Sequence, residues 1–137
     1  MKSVIAFGVA SAIIGLSSMS LRAQDRLRAG MYDVTVTNNG NSASHRRCVT
    51  AAEAKVANLS ADAMRAQVEK AAKDEECTLK DFAIDGATVT MTMICSGVSV
   101  ATKMTYRADA FDSVITTTSE RGVHIMQTTQ RRVGDCP

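Results

Sequence analysis

Residues 77–95 read CTLKDFAIDGATVTMTMIC, a pattern that predicts two strands joined by a tight turn. From Val89 to Cys95 every second side chain is a valine, methionine or cysteine, and this period of two is typical of a half-buried strand. Asp85-Gly86 stands just before this strand. Such a pair is a strong hairpin signal, because it accepts the positive φ angles of a two-residue turn.

In the first strand of this hairpin, the alternation of apolar and polar residues slips by one position between Leu79 and Phe82. A β-bulge near Lys80-Asp81 restores the alternation, because a bulge inserts one extra residue into one strand of the pair. With that bulge, Cys77 and Cys95 lie on the same face of the hairpin. The sequence therefore predicts a disulfide between these two cysteines.

The chain has four cysteines, and none of them forms a Cys-x-x-Cys pair. In an oxidising compartment, an even number of cysteines favours structural disulfides over a zinc site or a reactive thiol. Of the three possible pairings, the hairpin favours the one that leaves Cys48 and Cys136 to close the domain.

The alternation of apolar and polar residues continues from the hairpin to the carboxyl end of the chain, and it recurs in the amino-terminal part. It predicts strands at 98–106, 111–118 and 123–132, and an earlier strand at 31–37. The polar residues 38–42 after that early strand are rich in turn formers, and we expect them to form a mobile loop.

Two helices are predicted between the early strand and the hairpin. Thr50 and Glu53 have the spacing of a capping box, and a second helix over 60–73 carries a thin apolar stripe that includes Met64 and Val68. One strand, two helices and a five-strand meander make an α+β domain. We expect an antiparallel sheet of about six strands with the helices on one face and two disulfides.

The amino terminus has the layout of a secretory signal peptide, with Lys2, an apolar run over 4–16 and a small residue at Ala23. A membrane-spanning helix needs about 20 residues, so a retained anchor is the weaker interpretation of this short run. We therefore expect a cleaved signal peptide at 1–23, a single mature domain at 24–137 and a periplasmic or secreted location.

Charge gives no sign of a nucleic-acid partner. Loss of Lys2 and Arg22 with the signal peptide reduces the 16 basic residues to 14, which equals the number of acidic residues. A neutral mature chain lacks the basic surface that binding to a phosphate backbone requires. Any electrostatic function must therefore come from local clusters of charge.

Four stretches resemble a family of bacterial envelope proteins catalogued as domain of unknown function 3617. They are RAGMYDVTV (28–36), CVTAAEA (48–54), ATVTMTMICSG (87–97) and RRVGDC (131–136). Family members often have tryptophan near Met31-Tyr32, and a proline where this chain has Ala51; neither difference affects the predicted strand or cap. The resemblance implies export and a shared fold, but no agreed activity and no catalytic residues.

One cluster of charge is predicted from the outer disulfide. Arg46 and Arg47 precede Cys48, and Arg131 and Arg132 stand shortly before Cys136. A bond between the two cysteines gathers these four arginines into a candidate anion-binding site, because guanidinium groups bind phosphate and carboxylate in bidentate fashion. The alternative is a solvated polar face that Glu53 and Asp135 partly neutralise.

Other candidate sites are weaker. His45 and His124 are too few to specify a metal site. Met91 and Met93 offer soft sulfur that suits Cu(I), although they are better explained as core residues. No serine lies in a glycine-framed nucleophile motif. The sequence predicts no metal, no cofactor and no enzymatic activity.

Two functions of different class follow from this sequence. The first is a non-enzymatic binding or interaction module of the cell envelope, whose partner is an envelope protein or an anionic ligand. The second is a carrier, in which the sheet curls around the helices and its methionine and valine face lines a pocket for a lipid-like or other apolar ligand.

Overall fold

The computed structural model describes residues 25–137. The predicted signal peptide at 1–23 lies outside these described residues. The elements in chain order are β1 (Gly30–Asn38), β2 (Asn41–Val49), α1 (Ala51–Ala57), α2 (Ala61–Asp74), β3 (Cys77–Asp85), β4 (Thr88–Cys95), β5 (Val98–Tyr106), β6 (Ala110–Ser119) and β7 (Gly122–Gly134). Neither described helix is long and apolar enough to cross a membrane.

All seven strands belong to one antiparallel sheet with the order β2-β1-β7-β6-β5-β4-β3. Strands β3 to β7 form the predicted meander, in which each strand pairs with the next in sequence. The last strand, β7, also pairs with β1. The hairpin of β1 and β2 therefore joins the meander through β7, and β2 and β3 become the two edges of the sheet.

The prediction of about six strands is wrong by one strand, because residues 38–42 do not form a separate loop. Asn39 and Gly40 form a two-residue turn with φ angles of 48° and 81°, as a tight hairpin turn requires. The missed strand β2 begins directly after the turn. Its residues from Asn41 to Arg47 are all exposed, so the sequence has no apolar alternation that would mark a strand.

The central hairpin has the predicted irregularity. The register of β3 on β4 shifts between Leu79 and Asp81, which confirms the bulge. Cys77 then lies opposite Cys95, and the two residues form one disulfide. The second disulfide joins Cys48 to Cys136, so the structure contains both predicted bonds.

Both helices begin at the predicted polar residues. Thr50 accepts a hydrogen bond from the backbone N–H of Glu53, and the Glu53 carboxylate accepts one from the backbone N–H of Thr50 at 2.8 Å. This is the capping box that the spacing predicts. The Ser60 hydroxyl likewise accepts from the N–H of Ala63 at the start of α2.

The core consists of two small groups of buried side chains on one face of the sheet. The Tyr32 cluster contains Tyr32, Val34, Val49 and Ala54. The Tyr106 cluster contains Ala57, Met64, Val89 and Tyr106. Helix α1 contributes to both clusters, and α2 contributes only to the second one. We call the sheet surface that carries these clusters the helix face.

The opposite surface, which we call the open face, is rich in threonine and also carries the exposed apolar side chains Val114, Val123 and Ile125. Its side chains alternate with those of the helix face, because successive residues of a strand point to opposite sides. Exposed Thr90, Lys103 and Gln127 lie on this face in one cross-strand row with Val114. Neither described helix packs against it.

Candidate functional site

The four candidate arginines lie at the same end of three neighbouring strands, β2, β1 and β7. Tyr32 pairs with Arg47 on one side and with Arg132 on the other. The next residue, Asp33, pairs with Arg46 and Arg131 in the same way. Directly opposite residues share a face of the sheet. The structure therefore gathers the arginines, but as one pair on the helix face and a second pair on the open face.

Each of the four arginines has a carboxylate partner within its own chain. On the open face, Arg46 donates to Asp33 at 2.7 Å and Arg131 donates to Asp112 at 2.8 Å. The other two pairs join Arg47 to Glu53 and Arg132 to Asp135. Glu53 and Asp135 are the acids that the sequence indicated, whereas Asp33 and Asp112 come from neighbouring strands.

Two of these carboxylates are held in their charged form. Hydrogen bonds from the Thr50 backbone and side chain, with a smaller effect of Arg47, keep the pKa of Glu53 below its ordinary value. Burial raises the pKa of Asp112, but hydrogen bonds from Arg131 and Arg107 outweigh this effect and lower it. The arginine pairs therefore belong to a mixed network of charges rather than to a purely cationic surface.

The two edges of the sheet differ in how they are protected. Strand β3 carries a bulge at Lys80 and Asp81, and a bulge discourages pairing with another chain because it interrupts the regular strand edge. Strand β2 has nine residues in unbroken register with β1, without bulge or proline. The backbone N–H and C=O groups on its outer side pair with no other strand of the sheet. This edge can therefore accept an additional strand.

A narrow cleft of about 290 Å³ lies between the helices and the helix face. Apolar side chains form most of its lining, namely Val56, Ala57, Met64, Val68, Met104 and Phe111. Val56 is 43% exposed, so the cleft has an apolar side chain open to solvent. The sequence predicted a methionine and valine face, and two of its methionines, Met91 and Met93, lie outside this lining.

Polar groups stand at separate places along the cleft. Arg47 and Glu53, which form an ion pair of 3.0 Å, come from β2 and α1, whereas Tyr106 comes from β5. The Tyr106 ring packs on Phe111 with centroids 5.0 Å apart, and its hydroxyl has the Met104 sulfur as its hydrogen-bond partner at 3.6 Å. Burial raises the pKa of Tyr106.

The remaining candidates do not assemble into a site. Within residues 25–137, no three histidine, cysteine, aspartate or glutamate side chains are grouped so that they could hold a metal ion. His45 lies on the exposed edge strand β2, and His124 lies on β7. Met91 and Met93 are half-buried on β4, on the helix face that also carries Val89.

Sequence reasoning missed the residues that shape the cleft and the charge network. Tyr106 carries no motif, and its role depends on a cross-strand neighbour, Phe111, and on helices more than 30 residues earlier. Asp33 and Asp112 were also missed. Asp33 alternates with Tyr32 and Val34 in the sequence, a pattern that indicates opposite faces of the strand but gives no sign of the partners of Asp33.

The fold and these sites define a small disulfide-braced domain: a seven-stranded antiparallel sheet with two helices on one face. Residues 27–136 match the family described as "Protein of unknown function (DUF3617)". The chain belongs to this family. No curated protein and no solved structure matches this chain.

Proposed function

We propose that this protein is an exported binding module of the bacterial cell envelope, without chemistry of its own. The signal-like residues 1–23 support export. The pairing of all four cysteines in disulfides supports an oxidising compartment such as the periplasm. Family membership supplies no activity, so the binding role rests on the surface of the domain itself.

The observation that carries the binding role is the regular edge strand β2, which has no bulge and no proline. An extended segment of a partner adds to such an edge through main-chain hydrogen bonds, and side chains then select the partner. Natural proteins usually block their sheet edges, and this chain does so at β3. The contrast between its own two edges favours β2 as a functional surface.

The charges near β2 favour an acidic partner segment. Arg46 and Arg47 are the charged residues of the strand at neutral pH, and their partners Asp33 and Glu53 come from β1 and α1. The two ion pairs are exposed, and exposed ion pairs contribute only about 0–1 kcal/mol. A carboxylate or phosphate of a partner can therefore replace Asp33 or Glu53 at little cost.

The export half of the proposal is tested with the full-length chain in a bacterial host. We expect the protein in the periplasmic fraction, with a mass that lacks residues 1–23 and corresponds to two disulfides. Full-length protein retained in the cytoplasm would contradict export.

The binding half is tested by placing a photo-crosslinking amino acid at one edge or the other. We expect crosslinks to an envelope protein from Ala43 on β2 but not from Lys80 on β3, and we expect Arg46→Ala/Arg47→Ala to weaken them. Equal crosslinking from both edges would contradict β2 as the docking edge. Salt-sensitive binding to anionic vesicles that the double variant loses would assign these arginines to lipid head groups instead.

The second candidate function, a carrier of an apolar ligand, is favoured by the cleft between the helices and the sheet. Its volume of about 290 Å³ lies at the small end of ligand pockets. Its lining is mostly apolar, and it opens beside the exposed Val56.

A further inference from the structure

We propose that the cleft binds a compact apolar molecule with one neutral hydrogen-bond acceptor, such as a ketone or ester carbonyl, and that Tyr106 donates the hydrogen bond to it. This inference rests on the carrier function given above as the second candidate. It adds the chemical class of the ligand and the residue that recognises it.

The first observation is the poor hydrogen-bond partner of a buried hydroxyl. Tyr106 is 7% exposed, and its hydroxyl has only the Met104 sulfur, at 3.6 Å, as a side-chain partner. A thioether is a weak acceptor, whereas buried polar groups usually have strong partners. Both residues line the cleft, so a ligand oxygen placed there gives the hydroxyl a better acceptor.

The second observation is the other buried tyrosine of the same fold. The Tyr32 hydroxyl donates to the carbonyl oxygen of Arg28 at 2.8 Å and lies 3.3 Å from that of Ala108. Tyr32 is fully buried and does not line the cleft. A closed part of this core therefore satisfies its tyrosine with backbone oxygens, and the part that borders the cleft does not.

The third observation concerns charge and favours a neutral ligand. Arg47 is the one cation among the residues that line the cleft, and it is already paired with Glu53. Arg26, whose charge slightly offsets the raised pKa of Tyr106, donates to the carbonyl oxygens of Ala57 and Leu59. A carboxylate at Tyr106 would lose its hydration without gaining a free cation, which is costly in a buried place.

The volume of the cleft and the flexibility of its lining suit a compact molecule. A volume of about 290 Å³ suits a single small apolar body rather than a two-chain lipid. The Met64 and Met104 side chains line the space, and methionine adapts to ligands of different shape because its chain is flexible and polarisable.

The test uses three probes of similar size: acetophenone, α-methylstyrene, in which a carbon replaces the carbonyl oxygen, and benzoate. Protein produced from the full-length chain is labelled with carbon-13 at its methionine methyl groups. Met64 and Met104 report on the cleft, and Met31, which pairs with Cys48 at the other side of the sheet, serves as the internal control.

We expect acetophenone to shift the Met64 and Met104 signals in a saturable manner and to leave Met31 unchanged. Tyr106→Phe keeps the ring and removes the hydroxyl, so it should weaken acetophenone binding about tenfold, the size of one hydrogen bond. It should leave α-methylstyrene binding unchanged. Tyr32→Phe, which removes a hydroxyl outside the cleft, should affect neither probe.

Three results would overturn the inference. If Tyr106→Phe changes acetophenone and α-methylstyrene binding equally, Tyr106 does not recognise an acceptor, although the carrier function stands. If benzoate binds more tightly than acetophenone, the ligand is not neutral. If no probe shifts Met64 or Met104, both the inference and the carrier function fail.

Discussion

The two tyrosine clusters of this core are built alike but are closed to different degrees. In the Tyr32 cluster, β1, β2 and α1 surround a fully buried ring, and the neighbouring cysteine Cys48 ties β2 to the carboxyl end of the chain. In the Tyr106 cluster, both helices cover β4 and β5 but leave a cleft beside the ring. The first cluster satisfies its hydroxyl with backbone oxygens, and the second one uses a sulfur atom.

This difference indicates that the two ends of a small core have different roles. Only nine apolar side chains among the described residues are buried, so the domain has little hydrophobic stabilisation to spare. The end near β1 is closed by a covalent bond and strong hydrogen bonds. The end near β5 keeps a space and a weakly bonded donor, which is where a ligand can add stabilisation.

The largest expected effect separates the two disulfides. Cys48 is next to Val49 of the Tyr32 cluster, whereas Cys95 lies at the opposite end of β4 from Val89 of the Tyr106 cluster. The Cys48–Cys136 bond spans 88 residues and the Cys77–Cys95 bond spans 18. Longer loops restrict the unfolded chain more, so replacing the outer pair with serines should lower the free energy of unfolding by about 4.6 kcal/mol and replacing the inner pair by about 3 kcal/mol. Urea titration of the two double variants measures both values. A larger loss for the inner pair would contradict the comparison.

A smaller difference in the free energy of unfolding is expected between the variants that lack the Tyr32 or the Tyr106 hydroxyl. Tyr32→Phe leaves the Arg28 carbonyl without this donor, so it should lower the free energy of unfolding by about 1.5 kcal/mol. Tyr106→Phe removes only a bond to sulfur and should cost less than about 0.5 kcal/mol. Thermal and urea unfolding of both variants, side by side, provide the measurement. Equal losses would show that the two clusters are equally closed.

The smallest effect concerns α1, which contributes Ala54 to one cluster and Ala57 to the other. Thr50→Ala removes the capping oxygen and should lower the free energy of unfolding by about 1 kcal/mol. Thr50→Ser keeps the oxygen and is the matched control, with a loss of only a few tenths of a kcal/mol. An unchanged melting temperature for Thr50→Ala would show that the cap does not contribute to stability.

The sequence predicted those parts of the fold that local patterns encode. The bulge near Lys80-Asp81, the Cys77–Cys95 disulfide and the capping box follow from phase changes or spacings within short stretches. The outer disulfide then follows because Cys48 and Cys136 are the two cysteines left. Strand β2 was missed, because an edge strand with two solvated sides needs no apolar alternation. Its existence depends on Asn39-Gly40, a turn signal that the polar composition of the segment concealed.

The candidate site was harder to predict, because its parts meet only in the folded sheet. The outer disulfide and the two Arg-Arg pairs predicted that the four arginines lie at one end. Their distribution over two faces follows from the strand period, since neighbouring residues point to opposite sides. The cleft at Tyr106 has no sequence signal, because it results from how α1 and α2 rest on the sheet.

The position of β7 between β1 and β6 has a kinetic consequence. Asp33 and Arg131 are paired across nearly the whole domain, so the contact that unites the two parts of the sheet is also one of the most distant in sequence. Contacts of this kind slow folding, because a long loop must close before they form. Until residues 122–134 are available for folding, the β1–β2 hairpin has no strand to join, and the chain cannot complete its sheet.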